Sequence, residues 1–323
     1  MNSLFASFAS FMWGPWLLVL LLGTGFWLTI RLRGIQLRSL FYALRLVFSK
    51  ELKGEGDISH FGSLMAALAS TVGIGNIAGV STAVALGGPG AIFWMWVTGL
   101  VGMATKYSEG FLAVKFRRIN DKGEISGGPM YYLEEGLKKK WLGICFAAFG
   151  ACAAFGIGNM VQANTTAIAV SETTGFNSFS VGLFLAILTG LVVIGGIKRI
   201  ADVASYLVPL MVALYFAGAL IVILNHIDQL GSGIKLVFEH AFTGTAATGG
   251  FAGATLANCI RYGVARGLFS NESGMGSAPI VAAAARTNHP GKQALVSMTA
   301  VSYTHLRAHE TDSYLVCRLL LEK

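Results

Sequence analysis

Apolar residues in this chain come in blocks long enough to cross a lipid bilayer, separated by polar connections of very unequal charge. A spanning helix needs about 20 consecutive, predominantly apolar residues. Windows of that kind fall at 14–31, 62–86, 91–114, 141–170, 179–197, 203–224 and 243–262, and another apolar run begins near Ala294. The pattern predicts an all-α polytopic membrane protein. Residues 1–300 form one transmembrane domain of about seven spans plus the start of an eighth.

Composition points the same way. The 323 residues are 54% hydrophobic and 12% charged, with a mean hydropathy of +0.64, more apolar surface than a soluble chain of this length can hide. The net charge of +8 would suit nucleic acid or anionic lipid, but its distribution speaks for topology. The 31–60 connection carries Arg31, Arg33, Arg38, Arg45, Lys50 and Lys53. The 115–140 connection carries Lys115, Arg117, Arg118, Lys122 and Lys138 to Lys140. Lys198 and Arg199 follow the fifth span, and Arg261, Arg266, Arg286 and Lys292 follow the seventh. The other side holds only Lys235. The positive-inside rule makes the rich side cytoplasmic and the N-terminus external. No basic residue precedes Arg31, so 14–31 reads as a retained helix, not a cleaved leader.

From about residue 301 the character changes. VSYTHLRAHETDSYLVCRLLLEK places Thr304, His305, Arg307, His309, Glu310 and Asp312 where an eighth span should continue; so many polar groups do not fit hydrocarbon. The segment resembles read-through sequence at the ends of truncated genes, and 301–323 is expected to be a non-native tail.

The second block, 66-AALASTVGIGNIAGVSTAVALGG-88, has Gly73, Gly75, Gly79 and Asn76 where a spanning helix should be strongest. Gly75 and Gly79 fit the GxxxG spacing that lets helices approach closely. Gly73-x-Gly75 also opens a dinucleotide fingerprint, but no soluble strand precedes it and no acidic residue follows at the required distance. The remaining reading is a discontinuous helix. Its freed N–H groups suit a carboxylate and its freed carbonyls suit a desolvated sodium ion. A partner break is then expected in a second repeat, and 243-TGTAATGGFAGATLANCIRYG-263, five spans later, supplies Gly249, Gly250 and Gly253 around Phe251.

In the fourth span, Asn159, Gln162 and Thr166 fall on one helical face. They read either as interhelical hydrogen-bonding groups or as the polar wall of a midplane site. Lys106 and Glu109, one turn apart, read as a snorkelling local ion pair. Glu172 and Asp202 sit near span edges, and Cys145 and Cys152 read as packed thiols. His60, His226 and His240 lack metal-ligand spacing. Gly54-Glu-Gly-Asp57 superficially matches the GxGD of intramembrane aspartyl proteases, but no partner motif accompanies it. No HExxH or GxSxG occurs, and no enzyme is expected. A channel is the further alternative.

STVGIGNIAGV, ALGGPGAIFWMW, SGGPMYYLEEGL and RYGVARGLFSNESGMGSAPI together resemble the alanine or glycine:cation symporter family, along most of residues 1–300. The resemblance implies leucine-transporter-like inverted five-helix repeats with one extra N-terminal helix, truncated here in the second repeat. It implies sodium-coupled symport of a small neutral amino acid, alanine or glycine, across a bacterial or archaeal plasma membrane, with no organic cofactor. The alternative within this class is proton-coupled or uncoupled transport. By the same resemblance, the backbone carbonyls of Ala69 and Val72 face sodium, and Thr71, Gly73, Gly75 and Asn76 line the substrate end of the break. Gln162 contacts substrate, and Phe251, with Gly253 beside it, covers a small side chain. GLFSNESGMGSAP is expected to be cytoplasmic.

Overall fold

The computed structural model describes residues 7–8, 11–49, 54–121, 123–243 and 256–302. The predicted spans 14–31 and 91–114 are single helices, α1 (Pro15–Arg31) and, further on, α6 (Ala91–Lys115). Between them lie the short α2 (Ile35–Arg38) and α3 (Leu40–Val47), then α4 (His60–Thr71) and α5 (Ile74–Gly87), which together make the interrupted second span. At 1.5 Å per residue, α6 with its 25 residues is about 37 Å long, enough to cross a bilayer. After α6 comes a small hairpin, β1 (Arg118–Ile119) and β2 (Ile125–Ser126), and then α7 (Pro129–Glu135).

The predicted fourth span is α8 (Lys140–Phe155), a π turn (Gly156–Met160) and α9 (Val161–Thr174) in succession. The fifth is α10 (Ser178–Val193). The sixth grows at its start into α11 (Gly196–Asn225), so Lys198, Arg199 and Asp202 belong to a helix and not to a connection. An amphipathic helix that the sequence did not announce follows, α12 (Ile227–Thr243). Then come α13 (Leu256–Asn271), α14 (Ala278–Ala283) and α15, residues 290–302.

Among the described residues, α11 is long and apolar enough to cross a membrane by length and composition, and α1, α8 and α10 are shorter apolar helices. Their apolar side chains face outward: Trp16, Phe149, Phe184 and Leu214 are all more than half exposed. Water does not tolerate such a surface; hydrocarbon or further helices do. Cys145 and Cys152 are exposed on the same face of α8, not packed inside.

Buried contacts concentrate on α4, α5, α6, α13, α14 and α15. Leu64, Leu68 and Val72 of the interrupted helix pack with Val47, Ala204, Val208 and Val296. The α6–α13 seam is made by glycine. A Cβ on Gly263 would stand 2.4 Å from the Ala91 carbonyl oxygen, and one on Gly267 would stand 1.9 Å from Thr98 Oγ1. The start of α13 therefore lies beside the start of α6. Arg261 and Arg266 sit in α13, on the half of the bundle away from Lys115, which corrects their assignment to the basic side.

The basic end is tied by main-chain and guanidinium contacts. Ile58 bridges Ala285 in parallel, and Thr287 N donates to Glu55 O at 3.0 Å. Arg117, at the end of α6, donates to the carbonyls of Ala283, Ala285, Glu55 and Thr287 at 2.8–3.1 Å. Burial lowers the Arg117 pKa, with Glu55 and Asp57 opposing that shift. Asp57 itself accepts from Ile125 N at 2.9 Å and pairs with Lys198 at 3.4 Å, so it works as a half-buried tie between segments.

Candidate functional site

The first interruption falls at the glycines. Val72 (φ −92°, ψ 99°) and Gly73 (φ −167°, ψ −150°) are extended between α4 and α5. Gly73 is in backbone territory open to any residue, and a Cβ there would stand 3.4 Å from Gln162 Oε1, an ordinary contact, so the chain's own packing does not demand glycine here. Gly75 lies in the first turn of α5.

A helix break strands carbonyls at one end and N–H groups at the other, each costly when buried without a partner. Asn76 repairs part of that cost. Its Nδ2 donates to Thr71 O at 3.1 Å, its main-chain N–H donates to Gly73 O at 3.0 Å, and its Oδ1 accepts from the Ser270 hydroxyl. The residue is 3% exposed. The structure thus places Asn76 at the break as a brace between two helices.

A second interruption lies beside the first, in a segment that the sequence reading did not single out as a break. Residues 244–255, which include Phe251 and Gly253, are outside the described residues. Leu256–Asn271 is continuous helix, and the chain breaks at 272–277 before α14. The string SNESGMGS is therefore no basic-end loop, because Ser270 meets Asn76 across the two breaks. Glu272, Gly274 and Gly276 all have positive φ (52°, 84° and 81°). The buried Glu109 carboxylate of α6 lies beside the main chain of Gly274 and Gly276. The Ser277 hydroxyl donates to Glu272 Oε2 at 2.5 Å.

The two breaks and α9 enclose a cavity of about 260 Å³. Ala69, Thr71, Val72 and Gly73 form one wall, Gln162 a second, and Phe269, Ser270, Glu272 and Met275 the third. Pockets for drug-sized ligands run to roughly 300–1,000 Å³, so this one suits a small solute. Of the three polar residues predicted on one face of the fourth span, Gln162 alone reaches the cavity. Asn159 lies within the π turn, which re-registers the helix, and both Asn159 and Thr166 are exposed.

Sequence reasoning missed Ser270, Glu272 and Met275. Their signal was available: three small or turn-forming residues in a polar run between two apolar helices, the same signature that exposed GIGN. Lys106 is also corrected. It is 1% exposed, and its Nζ and Glu109 Oε2 are both buried without a hydrogen-bond partner, so the pair neither snorkels nor closes a direct ion pair.

An α-helical bundle with outward apolar faces and two adjoining helix breaks over a polar cavity has the build of a membrane transport protein. Its sequence matches the model of the sodium:alanine symporter family over residues 1–308. It is 55% identical over 296 residues to the sodium/alanine symporter AgcS of Methanococcus maripaludis, covering 90% of this chain and 64% of that protein. It is 38% identical over 317 residues to the amino-acid carrier protein AlsT of Bacillus subtilis, covering 98% and 65% respectively. The chain belongs to the sodium:alanine symporter family, and it spans just under two thirds of the length of these relatives.

Proposed function

We propose that this protein takes part in sodium-coupled symport of a small neutral amino acid, alanine or glycine, into the cell. The observation that carries this reading is the meeting of the two helix breaks, Val72–Gly73 and 272–277, around one cavity with Gln162 on its wall. At such breaks freed N–H groups favour a carboxylate and freed carbonyls favour a cation. Sodium meets the carbonyls of Ala69 and Val72; the amino acid lies against Thr71, Gly73 and Gln162, with Gly75 and Asn76 shaping the break behind it. The cover over the side chain is assigned to Phe251 and Gly253, which lie outside the described residues, by the family resemblance alone.

Inverted repeats fit the direction of the two broken helices. α4–α5 runs from the end where Ile58 meets Ala285 toward the start of α6. α13–α14 runs the opposite way, from Gly263 beside Ala91 to Ala283 under Arg117. Two copies of one unit in opposite senses is the arrangement that lets a bundle rock around a fixed site. The basic end is then cytoplasmic and the N-terminus external.

Size selectivity tests the site. Alanine and glycine should each raise the melting temperature of the purified protein in sodium chloride, and leucine or phenylalanine should not. Equal shifts from large and small amino acids would contradict a small-solute cavity.

A further inference from the structure

Glu272 contributes the one ionisable side chain among the described residues lining the cavity. It is not presented by chance. It has left-handed backbone (φ 52°) just after α13, a conformation unfavourable for a residue with a Cβ, and Ser277 holds its Oε2 at 2.5 Å. Its electrostatic neighbours are Lys106 and Glu109 of α6. Glu109 Oε2 is buried without a hydrogen-bond partner, and Lys106 Nζ is likewise buried and unpartnered. Ionised, these three groups carry one ammonium and two carboxylates, a net charge of −1 beside the cavity, with Lys106 and Glu109 buried and Glu272 half-buried. A charge excess at such a partly enclosed site is unfavourable until something of opposite sign arrives.

We infer that Glu272 is the counter-charge of the cavity, a carboxylate that recognises a monovalent cationic group. The inference rests on the symporter reading for its cargo: a zwitterionic amino acid plus one sodium ion carries +1, which the excess at Glu272, Lys106 and Glu109 balances. Two cationic groups have this chemistry, the sodium ion itself and the amino acid's ammonium. Ser277 occupies one carboxylate oxygen and leaves the other for that group. The left-handed turn fixes the carboxylate at the wall, so its charge is in place before the cargo enters and costs no reorganisation when it does.

The test is binding of labelled alanine by purified wild-type, Glu272→Gln and Glu272→Asp protein, titrated against sodium chloride at constant ionic strength. Sodium-induced shifts in melting temperature are read alongside. If sodium is the partner, Glu272→Gln raises the half-saturating sodium concentration by about ten- to hundredfold, with alanine affinity at saturating sodium intact. If the ammonium is the partner, alanine affinity falls by a similar factor even at saturating sodium. In both cases Glu272→Asp lies between Gln and wild type, which separates loss of charge from loss of fold. Sodium and alanine dependence unchanged in folded Glu272→Gln overturns the inference. Wild-type protein that binds no alanine overturns the symporter reading instead; its sodium-induced shift, present and lost in Glu272→Gln or absent from both, then decides the cation site by itself.

Discussion

Ser270 donates its hydroxyl to Asn76 Oδ1, so the last turn of α13 is tied to the first turn of α5 at the point where both helices are interrupted. The bond joins elements 194 residues apart and sits between two segments that have given up helical pairing.

Removing Asn76 should therefore weaken the fold as well as the site. Asn76→Ala leaves Thr71 O and the Ser270 hydroxyl buried without their partner, at about 1–3 kcal/mol for each unsatisfied group. Ser270→Ala strands only Asn76 Oδ1 and should lower the melting temperature less. Equal melting temperatures for Asn76→Ala and wild type in detergent would show that the brace carries no load.

Gly73→Ala separates site from scaffold. The added methyl meets Gln162 Oε1 at 3.4 Å, an ordinary contact, and the extended backbone accepts alanine. The variant should fold with near wild-type stability and bind alanine at least about tenfold more weakly, a loss of ~1.4 kcal/mol, because the methyl enters the cavity. Unchanged binding would move the substrate away from this wall.

The α6–α13 seam offers a graded series. Gly263→Ala drives a methyl into the Ala91 carbonyl, which is main chain and cannot rotate away, and should cost about 1–3 kcal/mol or more from overpacking. Gly267→Ala collides first with the Thr98 hydroxyl, a side-chain atom, and should cost less. Gly182→Ala on α10 meets nothing within 4 Å and should be neutral or slightly stabilising. Thermal unfolding in detergent orders the three.

Part of this architecture is legible in the sequence and part is hidden for a physical reason. α1 and α10 follow their apolar windows with apolar side chains turned outward, and α6 follows its window because it is buried in the bundle, with Met95, Gly102 and Ala104 inside. The break at Val72–Gly73 is legible because glycines and an amide stand out against such a background. The second break escaped because SNESGMGS is polar, and polarity alone cannot tell a water-exposed loop from a segment whose N–H groups are satisfied inside. The buried Glu109 that lies beside this segment comes from a helix more than 160 residues earlier. The run at 243–263 drew attention through Gly249, Gly250 and Gly253, which lie outside the described residues, while its described part, from Leu256, is unbroken helix. Lys106 was misjudged similarly. A lysine near a span's end is expected to reach water, but α4, α14 and α15 surround it with Ser63, Ala278 and Gln293.

Arg117 tests the closure at the basic end. Its planar guanidinium serves four carbonyls on two segments at once. Lysine keeps the charge and loses the fork, so Arg117→Lys should destabilise by about 1–3 kcal/mol and speed labelling of a cysteine placed at Ala285. Unaltered labelling would mean that the main-chain bridge of Ile58 and Ala285 holds without it.

The most direct measurement is uptake of labelled alanine into proteoliposomes under an inward sodium gradient, compared with an equal potassium gradient. Uptake that saturates with alanine and appears only with sodium is the predicted result, and in Gly73→Ala it should half-saturate at an alanine concentration at least about tenfold higher. Uptake of equal rate in both gradients would contradict sodium coupling at the paired helix breaks.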